Sequence, residues 1–161
     1  MIVWVDLDGV LANFEKEVEF LVGSNWKEEI DSPNWGKIAE FQDIYLNLPR
    51  MDDAYDLWEF LTANFHNVQI LTAIPRRAYF PDAVNHKREW VHKHFGPDVK
   101  VNFGPYAQDK QYHCRPGDLL IDDMKINCDQ WRDRKGWSVC HTSAGDTINE
   151  IRRGLDDIVR L

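Results

Sequence analysis

Chemically, the residues that stand out are Asp6-Leu7-Asp8-Gly9, which carry two carboxylates two residues apart near the N-terminus. Two acids so spaced at a strand end can divide labour, one attacking an electrophile while the other transfers protons. Gly9 lets the backbone turn tightly beside a ligand. A calcium loop would need more oxygen ligands and a closing glutamate, whereas Val10-Leu11-Ala12 follow here. A second acidic pair, Asp122-Asp123, closes the apolar run Leu119-Leu120-Ile121. Adjacent like charges repel, but they become sensible around a hard cation such as Mg²⁺, which takes a few carboxylates together with water and phosphate oxygens. Thr72 ends another apolar run and offers a hydroxyl and nearby backbone amides, that of Ala73 among them, to a phosphate oxygen. Lys110 offers a positive charge, as does Lys87 from within a helical pattern.

The elements that must position these groups follow from periodicity. Residues 2–6, 68–72, 99–103, 118–122 and 137–141 are short apolar runs bounded by turn residues, the pattern of buried strands. Between them lie helical patterns. Phe14, Val18, Leu21 and Val22 share one face before Gly23. Ala54, Leu57, Trp58 and Leu61 follow Asp52 and Asp53, either of which is a candidate cap. Val84, Lys87, Trp90, Val91 and Phe95 precede Gly96-Pro97, and residues 126–134 precede Gly136. The last helix is expected to start near Thr147, where Thr147 and Glu150 have capping-box spacing, and to present Ile148, Ile151, Leu155, Ile158 and Val159. Residues 24–49 are irregular, with Trp26, Trp35, Phe41 and Tyr45 among charges and a turn at Ser32-Pro33-Asn34. Strands alternating with helices predict a Rossmann-like α/β fold, a parallel sheet flanked by helices, with a small helical insertion. In such sheets ligands sit beyond the carboxyl ends of the strands, where Asp6, Thr72 and Asp122-Asp123 all fall.

Composition narrows the function classes. At 161 residues the chain is one domain long. Its 27 acidic against 19 basic side chains, net −8, argue against binding long nucleic acid but not against a small phosphate ligand bound with a cation. No apolar run approaches the roughly 20 residues of a membrane span, and the N-terminal residues lack a leader pattern, so a cytoplasmic location is expected. Cys114, Cys128 and Cys140 lack the short paired spacing of a zinc site and read as reduced thiols.

The four chemical segments, in their order and spacing, resemble the motifs of the haloacid dehalogenase-like (HAD) phosphatases. They are Asp6-Leu7-Asp8-Gly9-Val10-Leu11-Ala12-Asn13-Phe14, Ile70-Leu71-Thr72-Ala73, Lys110, and Leu119-Leu120-Ile121-Asp122-Asp123. Within that superfamily, Asp-x-Asp-Gly-Val-Leu-Ala-x-Phe and the stretch from Lys87-Arg88-Glu89-Trp90-Val91 to His94-Phe95-Gly96 look like the 5′(3′)-deoxyribonucleotidase family. The resemblance implies a core of residues 1–13 and 66–161 with a cap of residues 14–65. It implies that Asp6 attacks phosphorus and that Asp8 serves as acid and then base. Mg²⁺ would be held by the Asp6 carboxylate, the Asp8 backbone carbonyl and Asp122-Asp123. Thr72, Ala73 and Lys110 would hold phosphate oxygens. Phe14 would stack on the base, and Lys87 would join it in binding substrate. About 60 residues separate the first two motifs, longer than an ordinary connection, which leaves room for a cap. Arg76 and Arg77, just after Thr72-Ala73, either touch phosphate or face water.

The expected substrate is a small nucleoside monophosphate, and a homodimer is left open. Two alternatives compete: a related phosphatase acting on sugar phosphates or nucleic-acid ends, and a non-enzymatic receiver-like domain that accepts phosphate on an aspartate.

Overall fold

The structure, a computed structural model, describes residues 1–27 and 35–159, with only the backbone described at Asn25, Lys27 and residues 157–159. The expected turn at Ser32-Pro33-Asn34 and the side chains of Ile158 and Val159 lie outside the described residues. Five strands form one wholly parallel sheet: β1 (Val3–Val5), β2 (Val68–Ala73), β3 (Val101–Gly104), β4 (Leu119–Asp122) and β5 (Trp137–Cys140), in the order β3-β2-β1-β4-β5. The chain winds from β1 outward to β3 and then returns to β1's other side as β4. That reversal creates a switch point at the carboxyl end of β1.

Alternate side chains of each strand enter opposite layers. Val3, Val5, Ile70, Leu119, Ile121 and Val139 join the larger core. Among the helices that contribute to it are α4 (Ala54–Asn64) through Leu57 and Leu61, α5 (Ala83–Phe95) through Trp90 and Val91, and α7 (Ala144–Val159) through Ile151. Trp4, Leu71 and Leu120 point the other way. They pack on Trp131 of α6 (Lys125–Asp133). Burial on both faces explains why these strands read as continuous apolar runs rather than alternating ones.

Two expected helix caps are corrected. Asp53 flanks α4 but makes no side-chain cap; its carboxylate instead accepts the Ala144 N–H, 2.6 Å away, at the start of α7. That helix begins three residues before Thr147. Its reciprocal cap is Ser143 with Asp146, whose N–H donates to Ser143 Oγ at 3.1 Å while Ser143 Oγ donates to the Asp146 carboxylate at 2.9 Å. Thr147 is buried and pairs with His141 Nδ1 at 2.9 Å. The Thr-x-x-Glu spacing was misleading because an earlier Ser-x-x-Asp pairs through its side chains at the helix start instead.

Between β1 and α4 the chain makes an excursion through α1 (Phe14–Val22), a 3₁₀ turn (Ser24–Lys27), α2 (Trp35–Ile38) and α3 (Ile44–Asn47). Asn13 caps α1, its Oδ1 accepting the Lys16 N–H at 3.1 Å. The excursion is pinched at its base. Asn13 N–H donates to Pro49 at 2.7 Å, and Met51 N–H donates to Leu11 at 2.9 Å. Among the described residues no helix is long and apolar enough to cross a membrane.

Candidate active site

Strand register brings the acids together. Val5 lies opposite Ile121 and Ile70, so Asp6, one step further, emerges beside Asp122 and next to the end of β2. The Asp6 N–H donates to Ile121 O at 2.9 Å, extending the ladder to the acid itself. Immediately beyond, the N–H groups of Val10, Leu11 and Ala12 all converge on the Leu7 carbonyl. That tight loop requires Gly9 twice over. Its φ is +81°, and a Cβ there would lie 2.4 Å from Asp123 Oδ2.

The carboxylates of Asp6, Asp122 and Asp123 each offer one oxygen within 4.8 Å of the others. Lys110, buried in the 3₁₀ turn Ala107–His113, donates to Asp6 Oδ2 and Asp122 Oδ2, both at 2.7 Å. Asn127, in the first turn of α6, donates to both Asp122 oxygens at 3.0 and 3.1 Å, and the Met124 N–H donates to Oδ1 at 2.9 Å.

One ammonium does not neutralise three acids. Burial, with Asp122 and Asp8 nearby, pushes the Asp6 carboxyl up to about 7 despite Lys110. Burial and Asp122 push Asp123 up to about 6. Burial works against the Lys110 charge, yet Asp6 and Asp122 more than offset it and hold the lysine above its ordinary value. A hard, all-oxygen donor set short of positive charge fits a divalent cation such as Mg²⁺.

Asp8 points elsewhere. Its Oδ2 accepts from Lys87 Nζ at 2.5 Å, while its Oδ1 is buried without a hydrogen-bond partner among the described residues. Its carboxylate therefore stands outside the trio around Asp6. Lys87 itself is 1% exposed and also donates to Thr72 Oγ at 3.1 Å and Ala73 O at 3.0 Å. Thr72 is fully buried, so its hydroxyl faces Lys87. The site thus has two lysine–aspartate halves, Lys110 with Asp6 and Lys87 with Asp8.

A cleft of about 280 Å³ opens onto these groups. Its lining includes Asp6, Asp8, Ala73, Lys110, Asp123, Phe14 and Trp26. Phe14 stacks on Tyr45 (5.6 Å, 14°) and meets Trp26 edge-on at 6.0 Å and Trp35 at 6.1 Å. Of Phe14, Trp26, Trp35, Phe41 and Tyr45, Phe14 and Trp26 line the cleft. Tyr45 is 3% exposed and lies behind Phe14, with Phe80 and Lys87 against it. Phe41 is exposed and shares no ring contact among the described residues.

Two features escaped the sequence. Asn127 was invisible because its role depends on where α6 starts. The burial of Lys87 was legible in principle, since Ala83, Lys87, Trp90 and Val91 form one buried helical stripe. The three cysteines are free thiols, Cys128 buried and the others partly so, and no group of histidine or cysteine ligands assembles among the described residues.

Comparison with known proteins decides the family. The family model described as 5′ nucleotidase, deoxy (pyrimidine), cytosolic type C protein matches residues 1–154. The chain belongs to that family. It is therefore a nucleotidase, a phosphoric monoester hydrolase, and the receiver-like reading falls away. None of the curated proteins matches the sequence. Among solved structures, the nucleotidase is similar to a hydrolase from Streptococcus pneumoniae TIGR4 (TM-score 0.54, 14% identity, 96% of this chain and 97% of that one). It is also similar to L-2-haloacid dehalogenase from Xanthobacter autotrophicus (0.53, 13%, 86% and 76%). A third similar structure is the HAD domain of the effector protein Lem4 from Legionella pneumophila, an inactive mutant (0.51, 13%, 99% and 96%). These likenesses concern the fold, which is HAD-like.

Proposed function

We propose that this nucleotidase hydrolyses (deoxy)nucleoside monophosphates to nucleoside and phosphate through an aspartyl-phosphate on Asp6. One observation supports this above others: Asp6 and Asp8, two residues apart, stand in separate surroundings. Asp6 faces Lys110 and two further acids; Asp8 faces Lys87 and keeps one oxygen free. Two carboxylates so distinguished can take different parts in one reaction.

In the first step an Asp6 oxygen bonds to phosphorus. The bond from phosphorus to the sugar oxygen breaks, its electron pair leaves with that oxygen, and Asp8 supplies the proton. In the second step Asp8 takes a proton from water, whose oxygen bonds to phosphorus, and the Asp6 carboxylate leaves. Lys110 offsets negative charge as phosphate approaches Asp6. Lys87 orients Asp8 and holds the β2 end at Thr72 and Ala73 beside the phosphate. When bound by the Asp6, Asp122 and Asp123 carboxylates and the Asp8 carbonyl, Mg²⁺ would supply positive charge that screens attacking anion from phosphate.

Phe14 and Trp26 offer the base an aromatic wall, which a simple sugar phosphate would leave unused. We take the cap to be residues 14–49, narrower than 14–65, because the Asn13–Pro49 and Met51–Leu11 hydrogen bonds close the excursion there. Small-molecule substrates rather than long nucleic acid agree with the acidic composition, and we place the enzyme in the cytoplasm.

The test is phosphate release across ribo- and deoxynucleoside monophosphates, with sugar phosphates as controls, with and without Mg²⁺. Nucleotides should be preferred and chelator should stop turnover. Equal or better rates on sugar phosphates would transfer the substrate class; activity persisting in chelator would remove the metal.

A further inference from the structure

Beside the catalytic cleft lies a second concavity of about 440 Å³, lined among others by Arg76, Arg77, Phe80, Asn85, Pro105 and Tyr106. Residues adjacent in the chain line the two. Ala73 lines one and Ile74 the other; Ala107 lines the cleft and Tyr106 the groove. At no more than about 3.6 Å per residue, Arg76 is within roughly 11 Å along the chain of Ala73.

Its chemistry differs from the rest of the molecule. The protein carries net −8 and its cleft is crowded with acids, yet the groove presents two exposed guanidiniums that make no hydrogen bond or ion pair among the described residues. The first turn of α5 forms another part of the wall. Within the helix that turn contains no acid, and the N-cap Asp82 makes no side-chain bond to its backbone N–H groups. Tyr106, 57% exposed, supplies a flat ring at the rim. The backbone is fixed: the N–H groups of Tyr79 and Phe80 both bond to the Arg76 carbonyl, and Gln42 Nε2 holds Tyr79 O at 3.0 Å.

We propose that this groove binds a second phosphate group on the substrate, so that nucleotides phosphorylated at two positions are preferred to monophosphates. The inference rests on the nucleotidase reading above, in which the scissile phosphate occupies the cleft at Asp6. The guanidiniums offer paired donors suited to a phosphate's oxygens. The hydrolytic step is unchanged, since the second phosphate only binds.

The experiment compares initial kcat/KM for thymidine 5′-monophosphate and thymidine 3′,5′-bisphosphate, in the wild type and in the double variant Arg76→Ala/Arg77→Ala. Direct calorimetric binding of the bisphosphate is measured in parallel. In the wild type the bisphosphate should be favoured by about tenfold or more, the worth of one charge-assisted hydrogen bond. The double variant should lose that advantage while hydrolysing the monophosphate as before. Equal kcat/KM for the two substrates in the wild type, or an advantage that survives the double substitution, overturns the groove's role. If the wild type hydrolyses neither nucleotide, the nucleotidase reading fails instead. The binding data then decide the groove: it stands if the double variant binds bisphosphate at least tenfold more weakly, and falls if the affinities match.

Discussion

Lys87 Nζ lies 2.5 Å from Asp8 Oδ2, although 79 residues separate the two in the chain. The lysine arrives from the buried face of α5, and nothing else among the described side chains bonds to that carboxylate. The proton-transferring acid of the proposed reaction is therefore aimed by a different element from the one that carries it.

Replacing Lys87 with Met should lower kcat by about 10²–10⁴-fold, the usual worth of a positioned acid–base group, with a smaller change in KM. Lys87→Arg should not restore it, because a planar guanidinium does not fit a slot built for a compact ammonium. Steady-state kinetics beside thermal melting check this; a folded Met variant with wild-type kcat would show that Asp8 needs no such partner.

Proton competition at the acidic trio predicts pH-dependent metal binding. Asp6 is raised to about 7 and Asp123 to about 6, chiefly by burial. A raised carboxyl favours its protonated form in the folded state. The stability it contributes is thus complete below about pH 4 and is lost as pH rises through about 7 in metal-free protein. A divalent cation needs the deprotonated form. The rise in Tm caused by Mg²⁺ should therefore grow from pH 5 to pH 8. A shift of the same size at both ends of that range would mean that these carboxyls do not hold the ion.

Asn127 fixes Asp122 through both of its oxygens. Asn127→Ala should weaken Mg²⁺ activation by about 10–100-fold, as loss of a group that orients a metal ligand does. The maximal rate at saturating Mg²⁺ should fall less. Titrating activity against Mg²⁺ separates the two, and an unchanged activation midpoint would reduce Asn127 to a packing residue.

Phe14 faces the cleft with one side supported by Tyr45. Phe14→Ala should raise KM for nucleotides by roughly tenfold, since stacking on a base contributes about 1–3 kcal/mol. Hydrolysis of a simple sugar phosphate should change little. An equal effect on both substrates would assign Phe14 to the cap's packing alone.

The sheet was legible because five short apolar runs alternating with helical patterns leave few alternatives to a parallel, doubly covered arrangement. The convergence of Asp6 with Asp122 follows almost directly, since adjacent parallel strands in register end side by side. Contacts made across helices were not legible. The stripe Lys87 shares with Trp90 and Val91 signals burial, but not that its ammonium meets Asp8 across the sheet edge. Asp53 could not be assigned to the cap of α7, 91 residues away, from its position before α4. Ser143-x-x-Asp146 and Thr147-x-x-Glu150 are equivalent as local patterns, and only the burial of Thr147 against His141 separates them.

The hydrogen bonds joining Asn13 to Pro49 and Leu11 to Met51 make the segment between them a module with adjacent entry and exit points. A chain of different length or sequence could be spliced there with a small entropic penalty, because loop closure depends only weakly on length. Substrate choice and reaction chemistry thus become separately interchangeable: a transplanted segment could alter which leaving group is recognised while the strand ends that perform hydrolysis stay as they are.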